Sequence, residues 1–316
     1  MTLIIRSDYH AVPLIEKNGI KWISLDQAKT QDIRPLRIGI LNIMPLGEQY
    51  ELNLLNPLGL SVLQIEPIWI RLKSHAYKTW PEGHLDQLYS NYEEATKNYP
   101  LDGLIVTGAP VEHLDFEDVR YWAEIVEIIK DARKNCPSTL GLCWGAMALA
   151  YMAGVEKTIF DQKLFGVFEL QNLASSHPIM GALDDTFFCP QSRIAGTSNE
   201  QMEAAHNKGD LNLLAFGQES GYPIFETTDQ KQIMHMGHPE YNSRRLVYEA
   251  KRDLSNPTVP SIHNFDINNP KNIWRMHRNT FFQQWIRFCY IKIRIESIFF
   301  IIMIFVLQCF LIVFMF

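Results

Sequence analysis

The sequence contains few cysteines, and none of them form a C-x-x-C pair. Its five cysteines are Cys136, Cys143, Cys189, Cys289 and Cys309, an odd number scattered along 316 residues. This usage argues against a disulfide framework and against paired-cysteine metal sites. The apolar run at the N-terminus is too short for a secretion signal. We therefore predict a cytoplasmic protein with reduced thiols.

An excess of positive charge is also missing. The chain has 29 Lys and Arg against 35 Asp and Glu, a net charge of −6. Because nucleic-acid binding needs a basic surface, the composition argues against a nucleic-acid partner. His235 and His238 lie close together but outside any H-E-x-x-H pattern, and other candidate ligands are scattered. We predict no metal site and no bound cofactor.

The chain lacks internal repeats and low-complexity linkers, which favours one main domain. Apolar strand-like runs alternate with helical patterns from residue 36 onward, which is typical of a mostly parallel sheet. We predict an α/β fold with one three-layer catalytic domain at residues 36–286, preceded by an N-terminal extension at residues 1–35. Predicted strands include residues 37–44, 61–70, 102–107 and 139–142; later strands are predicted at residues 211–216, 222–225 and 233–236.

The C-terminal segment, residues 287–316, differs sharply in composition. From residue 298 onward it is apolar except for Gln308, and Arg287, Lys292 and Arg294 precede that run. A run of this length, at ~1.5 Å per helical residue, nearly crosses a hydrocarbon layer of ~30 Å. The tail is either the product of a frameshift or a membrane anchor. The abrupt change in composition favours the frameshift, and a membrane partner is expected only if the tail is genuine.

A nucleophile elbow is predicted around Cys143. The apolar run at residues 139–142 ends in G-L-C-W-G, and a small-residue helical pattern follows. Flanking glycines permit the sharp strand-to-helix turn that lifts a nucleophile above a sheet edge. The helix N-terminus favours a thiolate, and the N–H of Trp144 points toward a developing oxyanion.

The candidate base is His238, with Glu240 as its partner. Both follow a predicted strand, and residues i and i+2 of an extended chain point the same way. Glu240 can then fix the imidazole while the ring faces the sulfur. His235, one strand step earlier, is the alternative base.

Several short segments resemble one family. The elbow together with a later H-P-E is similar to class I glutamine amidotransferase domains, whose flavodoxin-like core also occurs in the homoserine O-acyltransferase family. Further segments resemble the second family: residues 41–45 (LNIMP), 107–112 (TGAPVE), 116–122 (FEDVRYW), 190–193 (PQSR) and 237–241 (GHPEY). These matches span residues 36–286.

The resemblance implies a role for individual residues. Cys143 is implied as the acyl-thioester nucleophile, His238 as proton acceptor and Glu240 as its orienting partner. N–H groups of Trp144 and of Gly108 or Ala109 are implied for the oxyanion; Pro110 has no N–H. The substrate-binding residues implied by the resemblance are Lys163, Ser192 and Arg252.

Glu112 occupies the position that resembles the family's acyl-group selector. A carboxylate there fills space and repels the distal carboxylate of a succinyl group, whereas an acetyl group meets neither obstacle. Leu46 and Gly47 stand where many members carry lysine. This leaves serine open as the acceptor, because one methylene is worth only about 1–3 kcal/mol of discrimination.

The resemblance implies a homoserine O-acetyltransferase of methionine biosynthesis that uses acetyl-CoA and L-homoserine in a ping-pong reaction, and a homodimer. The alternatives are a homoserine O-succinyltransferase or a serine O-acetyltransferase. Two alternatives belong to other classes: the chain is a glutamine amidotransferase subunit, or it is an inactive, truncated relative.

Overall fold

A computed structural model describes residues 2–256 and 259–293, and these residues form one continuous sheet of eleven strands. In chain order, the strands β1 to β11 are Leu3–Ile4, Trp22–Ile23, Leu36–Leu41, Ile65–Ile70, Gly103–Val106, Thr139–Leu142, Thr158–Asn172, Thr186–Gly196, Leu211–Gly217, Gly221–Thr227 and Gln232–His235.

The sheet is parallel in its first part and antiparallel in its second. Its spatial order is β2-β1-β4-β3-β5-β6-β11-β10-β9-β7-β8. The neighbouring pairs from β2 through β11 are parallel, and the pairs from β11 through β8 are antiparallel. The prediction of an α/β domain with a mostly parallel sheet is confirmed.

Helices cover both faces of this sheet. In chain order, the helices α1 to α10 are Val12–Lys17, Leu25–Lys29, Gly47–Leu58, His84–Leu88, Tyr92–Thr96, Trp122–Asn135, Trp144–Met152, Asn199–Asn207, Ser243–Asp253 and residues 275–293; short 3-10 turns lie at Phe116–Asp118 and Met180–Ala182. One apolar core joins α1, α3 and α10 to the sheet, and a second joins α5, α6 and α7. Two separate cores on a single sheet give the predicted three layers.

All seven predicted strands are present: β3, β4 and β5 are shorter than predicted, β6 has the predicted bounds, β9 and β10 are longer, and β11 is shifted by one residue. Pro67 lies inside β4 opposite Ile38, in a strand held between β1 and β3. The long hairpin of β7 and β8 has no counterpart among the predicted strands. Its residues pair from Thr158 with Gly196 to Gln171 with Thr186, with a register shift after Ile159.

The two ends of the chain join the fold in different ways. The segment assigned as an N-terminal extension places Leu3 opposite Ile65 and Trp22, so it contributes β1 and β2 to the sheet. Residues 287–293 of the predicted tail continue α10, with Phe288 and Cys289 buried in the core. The rest of the tail, residues 294–316, lies outside the described residues. None of the described helices combines the length and apolar character needed for a membrane span.

Candidate active site

Cys143 occupies a strained turn between β6 and α7. Its backbone has φ 50° and ψ −114°, and it is one of four described non-glycine residues with positive φ. Its N–H donates to His235 O on the neighbouring strand at 3.0 Å, which holds the turn in place. A side chain kept in so costly a backbone conformation indicates a functional position. The predicted nucleophile elbow has the expected strand–turn–helix form.

Two glycines let the backbone pass through this turn. A Cβ on Gly141 would lie 2.7 Å from backbone atoms of Ala146. A Cβ on Gly145 would lie 2.2 Å from Val106 O on β5. Both contacts are with main-chain atoms, which cannot rotate away as a flexible side chain could. Glycine is therefore required for the close packing of α7 on the sheet.

We expect Gly145→Ala to lower the free energy of unfolding by about 3 kcal/mol or more, at or above the top of the usual range for overpacking, because the methyl group would push α7 away from β5. Urea denaturation measures the loss. The control is Gly154→Ala just beyond the same helix, where a Cβ meets nothing within 4 Å but φ is 88°. That change should cost only about 1–2 kcal/mol. Equal stability of Gly145→Ala and wild type would show that the close approach is not required.

The imidazole of His238 is held from several sides. Its Nδ1 lies 2.7 Å from Glu240 Oε1, and the hydroxyl of Tyr50 donates to the same oxygen at 2.8 Å. The backbone N–H of His238 donates to Pro190 O, and the ring stacks on Tyr241 at 4.0 Å between centroids. A carboxylate at Nδ1 fixes the proton on that nitrogen and leaves Nε2 as a base. The predicted contact is present, although the backbone from His238 to Tyr241 is a turn rather than an extended strand.

Cys143 and His238 meet at Gly108, in the loop after β5. A Cβ on Gly108 would lie 3.4 Å from Cys143 Cβ and 3.6 Å from His238 Cε1. All three residues line one cavity of about 360 Å³, together with Ala109 and Glu112. The N–H of Trp144, the first residue of α7, has no acceptor within its helix. The predicted nucleophile, the base and the candidate oxyanion donors Gly108 and Ala109 therefore line a single space, and Trp144 follows Cys143 directly but is not part of the described lining.

The hydrogen bond of the thiol goes to Glu112. Cys143 Sγ donates to Glu112 Oε1 at 3.2 Å, and Glu112 Oε2 accepts from the N–H of Ile194 at 2.8 Å. Burial, and then the Glu112 carboxylate, raise the pKa of the Cys143 thiol well above its usual value, whereas Arg193 opposes this. The thiol is therefore protonated in this state, and a base must remove its proton before it can attack.

Lys163, Ser192 and Arg252 line the same cavity. Lys163 Nζ lies 2.8 Å from Asp253 Oδ2, and Arg252 Nε lies 2.6 Å from Asp253 Oδ1. The hydroxyl of Ser192 donates to Glu249 Oε2 at 2.6 Å. Cations and carboxylates thus alternate at this end of the cavity. Such an arrangement suits a zwitterionic amino acid, whose two charged groups need partners of opposite sign.

Several residues of the site were not found from the sequence. Glu249 binds Ser192, accepts from Tyr241 OH at 3.0 Å and pairs with Arg245 at 3.0 Å. Glu249 and Arg252 are three residues apart on α9, so the spacing on one helical face was a usable signal. Tyr50 gave no such signal, since its partner Glu240 is 190 residues away.

Arg193 is a further buried residue of the site that was missed. Its guanidinium donates to Gln191 Oε1, Ala195 O and Ser220 O, each at 2.9 Å. Burial lowers its pKa to about 10, and the nearby Cys143 and Glu112 oppose this. Its charge stabilises a thiolate without a direct contact.

The alternative base, His235, is not among the described residues that line the cavity. Its Nε2 lies 3.3 Å from His277 Nε2, and burial, followed by His277, lowers its pKa well below the usual value. The structure therefore favours His238 as the base.

Two groupings of described residues bring potential metal ligands within 4.8 Å of one another: Cys189 with His235 and His277, and His10 with Glu48 and His84. Neither grouping contains a residue of the described cavity lining. In the first, both Nδ1 atoms are buried without a hydrogen-bond partner, whereas a metal-bound histidine usually donates from its other nitrogen. In the second, His84 is already bonded to Glu51 at 2.7 Å.

The sequence matches a family model described as homoserine O-succinyltransferase over residues 2–294. A homoserine O-acetyltransferase from Lachnoclostridium phytofermentans is 37% identical over 295 residues, which cover 91% of this chain and 97% of that protein. A homoserine O-acetyltransferase from Bacillus subtilis is 36% identical, covering 91% and 96%. A homoserine O-succinyltransferase from Psychromonas ingrahamii is 34% identical, covering 92% and 96%.

Among solved structures, a glutamine amidotransferase from Thermotoga maritima aligns with a TM-score of 0.54 and 12% identity, covering 81% of this chain and 99% of that one. At this identity the likeness concerns the fold alone. It confirms the predicted class I glutamine amidotransferase-like architecture.

Proposed function

Because the chain belongs to the homoserine O-succinyltransferase family and is a homoserine O-acyltransferase of methionine biosynthesis, we propose that it transfers acetyl from acetyl-CoA to the hydroxyl of L-homoserine through an acyl thioester on Cys143. One observation carries the choice of acyl group. The carboxylate of Glu112 lies 3.2 Å from the Cys143 sulfur, where the acyl chain must be placed.

In the first half-reaction, Nε2 of His238 takes the thiol proton, and the thiolate attacks the thioester carbonyl of acetyl-CoA. The N–H groups of Trp144 and of Gly108 or Ala109 stabilise the oxyanion. The tetrahedral intermediate collapses with cleavage of the bond to the CoA sulfur. His238 returns its proton to that sulfur, so CoA leaves as a thiol and the acetyl group remains on Cys143.

In the second half-reaction, Nε2 of His238 removes the proton of the homoserine hydroxyl, whose oxygen attacks the new thioester. The Cys143 sulfur is the leaving group and recovers the proton from His238. One thioester is exchanged for one oxygen ester, so the reaction needs no ATP. Lys163, Ser192 and Arg252, with Glu249 and Asp253, hold the amino acid while its hydroxyl faces the acyl group.

Glu112 selects the acyl group by space and charge. It is 9% exposed, and both its oxygens are engaged, one by the thiol and one by Ile194 N–H. A succinyl chain would bring a second carboxylate close to that of Glu112, and like charges at close range cost several kcal/mol. An acetyl group has no atoms beyond its methyl and avoids the conflict.

We further propose a cytoplasmic homodimer whose substrates are both small molecules. The four described cysteines are buried and form no disulfide with one another, which suits a reducing compartment. Residues 36–286 carry every proposed site residue. We therefore propose that they are the catalytic part of one domain, whose sheet also includes β1 and β2 from residues 1–35.

A thiol-release assay tests the proposal directly. The full chain is incubated with acetyl-CoA and L-homoserine, and free CoA is measured; parallel reactions replace homoserine by serine, and acetyl-CoA by succinyl-CoA. We expect the highest kcat/KM with acetyl-CoA and homoserine, and CoA release in a burst without the acceptor. Glutamine hydrolysis without CoA release would instead identify an amidotransferase. No turnover of any substrate would identify an inactive relative.

A further inference from the structure

A second cavity, of about 580 Å³, lies on the other side of the first turn of α9. We call it the basic groove. It is lined by Lys17 from α1, by Arg244 from α9 and by Arg275 and Arg278 from α10. The neighbouring residues Tyr241 and Arg245 line the active-site cavity instead, so the start of α9 separates the two spaces.

The four cations of the basic groove lack carboxylate partners. Among the residues that the structure describes, none of the four forms an ion pair, and no Asp or Glu lines the groove. The chain as a whole carries more acidic than basic residues. The described lining thus holds four cations and no carboxylate, contrary to the acidic overall composition, and it attracts anions.

Arg278 distinguishes this groove from an ordinary basic surface. It is 8% exposed, and within the described residues its side chain has one hydrogen bond, from Nε to Asn279 Oδ1 at 3.0 Å. Burial, and then the charge of Arg275, lower the pKa of Arg278 from its usual value, whereas the Glu240 carboxylate opposes this. Within the described residues no carboxylate is hydrogen-bonded to this buried guanidinium, and Glu240 acts on it only from a distance. An anion in the groove would supply the charge-assisted hydrogen bonds that are missing.

The rest of the lining indicates the type of anion. Ser243 and Arg244 are the first residues of α9, whose N-terminal N–H groups favour phosphate oxygens. Leu14, Ile20, Leu52 and Leu60 form an apolar wall beside the cations, and Leu14 and Leu60 are about half exposed. The cations match a multiply charged phosphate group, and the wall matches an attached apolar or aromatic ring.

From this juxtaposition we propose that the basic groove binds an organic diphosphate of nucleotide type. Two sources share this chemistry: the nucleotide end of the CoA donor, and a free nucleoside diphosphate that binds independently of the donor. The cations of the groove recognise the phosphate charge, and its apolar wall recognises the attached ring.

Calorimetric titration of the full chain with ADP at low ionic strength tests binding. We expect one saturable site in wild type and an affinity at least about tenfold weaker in Arg244→Gln/Arg275→Gln, since each arginine supplies charge-assisted hydrogen bonds to phosphate. Both side chains are exposed, so the fold should be kept. Arg120→Gln/Lys134→Gln removes two exposed cations elsewhere and should leave the affinity unchanged. Absence of ADP binding to wild type, or equal loss in both double variants, would overturn the proposal.

Kinetics then identify the source. If the groove holds the donor's nucleotide, Arg244→Gln/Arg275→Gln raises KM for acetyl-CoA but not for S-acetyl-N-acetylcysteamine, which has no nucleotide. If a free nucleotide is the ligand, both KM values stay unchanged and ADP still binds in the presence of saturating CoA. The kinetic arm rests on the proposed function, whereas calorimetry does not, so failure of one is distinguishable from failure of the other.

Discussion

Replacing Cys143 by serine should abolish the acyl-enzyme and lower kcat/KM for acetyl transfer by at least about 10⁴-fold, the scale seen when a covalent nucleophile is removed. The serine hydroxyl can still donate to Glu112, so the cavity should keep its shape. A hydroxyl is far harder to ionise than a thiol, and the burial and carboxylate that raise the pKa of Cys143 oppose ionisation of a serine as well. Intact-protein mass spectrometry after mixing with acetyl-CoA measures the acetyl adduct directly.

Cys136→Ser is the matched control. Cys136 is buried like Cys143, but its sulfur bonds to Ser138 O at 3.5 Å, outside the active-site cavity. We expect this variant to retain both the acetyl adduct and turnover. An acetyl adduct on Cys143→Ser, or wild-type rates without an adduct, would refute the thioester route through Cys143.

Local sequence was sufficient to predict the elbow. Gly141, Cys143 and Gly145 follow an apolar strand and precede a small-residue helix, and each of these signals acts within a few residues. The structure adds the reason for the spacing, because the added Cβ atoms would meet main-chain atoms of α7 and β5. The contact between His238 and Glu240 was also predicted from local sequence, because the two residues are only two positions apart. A turn, and not an extended strand, makes this contact.

Contacts between distant segments could not be predicted in this way. The hydroxyl of Tyr50 reaches Glu240 only because α3 packs on the same face of the sheet as the strand-to-α9 connection. The β7–β8 hairpin was missed because its polar and apolar residues do not alternate regularly, and its register shifts near Ile159. Strand pairing of that kind depends on the partner strand and leaves little trace in either sequence alone.

For Glu112, the family resemblance and the structure supply different information. The resemblance implied an acyl selector, but nothing in the sequence placed the carboxylate against the nucleophile itself. The structure shows that Glu112 is bonded to the thiol and to Ile194 N–H. We therefore propose that Glu112 affects two properties at once: which acyl chain fits, and how readily the sulfur ionises.

Replacing Glu112 by glycine should accordingly change the donor preference. We expect the ratio of kcat/KM for succinyl-CoA to that for acetyl-CoA to rise by at least about 100-fold, because a like-charge contact worth several kcal/mol is removed and space is opened. Parallel initial-rate measurements with both donors give this ratio. Ile194 N–H would lose its acceptor, a cost of about 1–3 kcal/mol in stability unless water enters the vacated space.

Glu112→Gln separates charge from volume, since the amide fills the same space without repelling a succinyl carboxylate. We expect it to raise the ratio less than glycine does. In both variants the pKa of the Cys143 thiol should fall, because a negative charge that disfavours the thiolate is gone while burial still keeps the pKa raised. The pH dependence of iodoacetamide alkylation at Cys143 should therefore move toward lower pH in both. If alkylation shifts but the donor ratio stays at the wild-type value in both variants, Glu112 tunes the nucleophile without selecting the acyl group, and the preference for acetyl must arise elsewhere in the cavity.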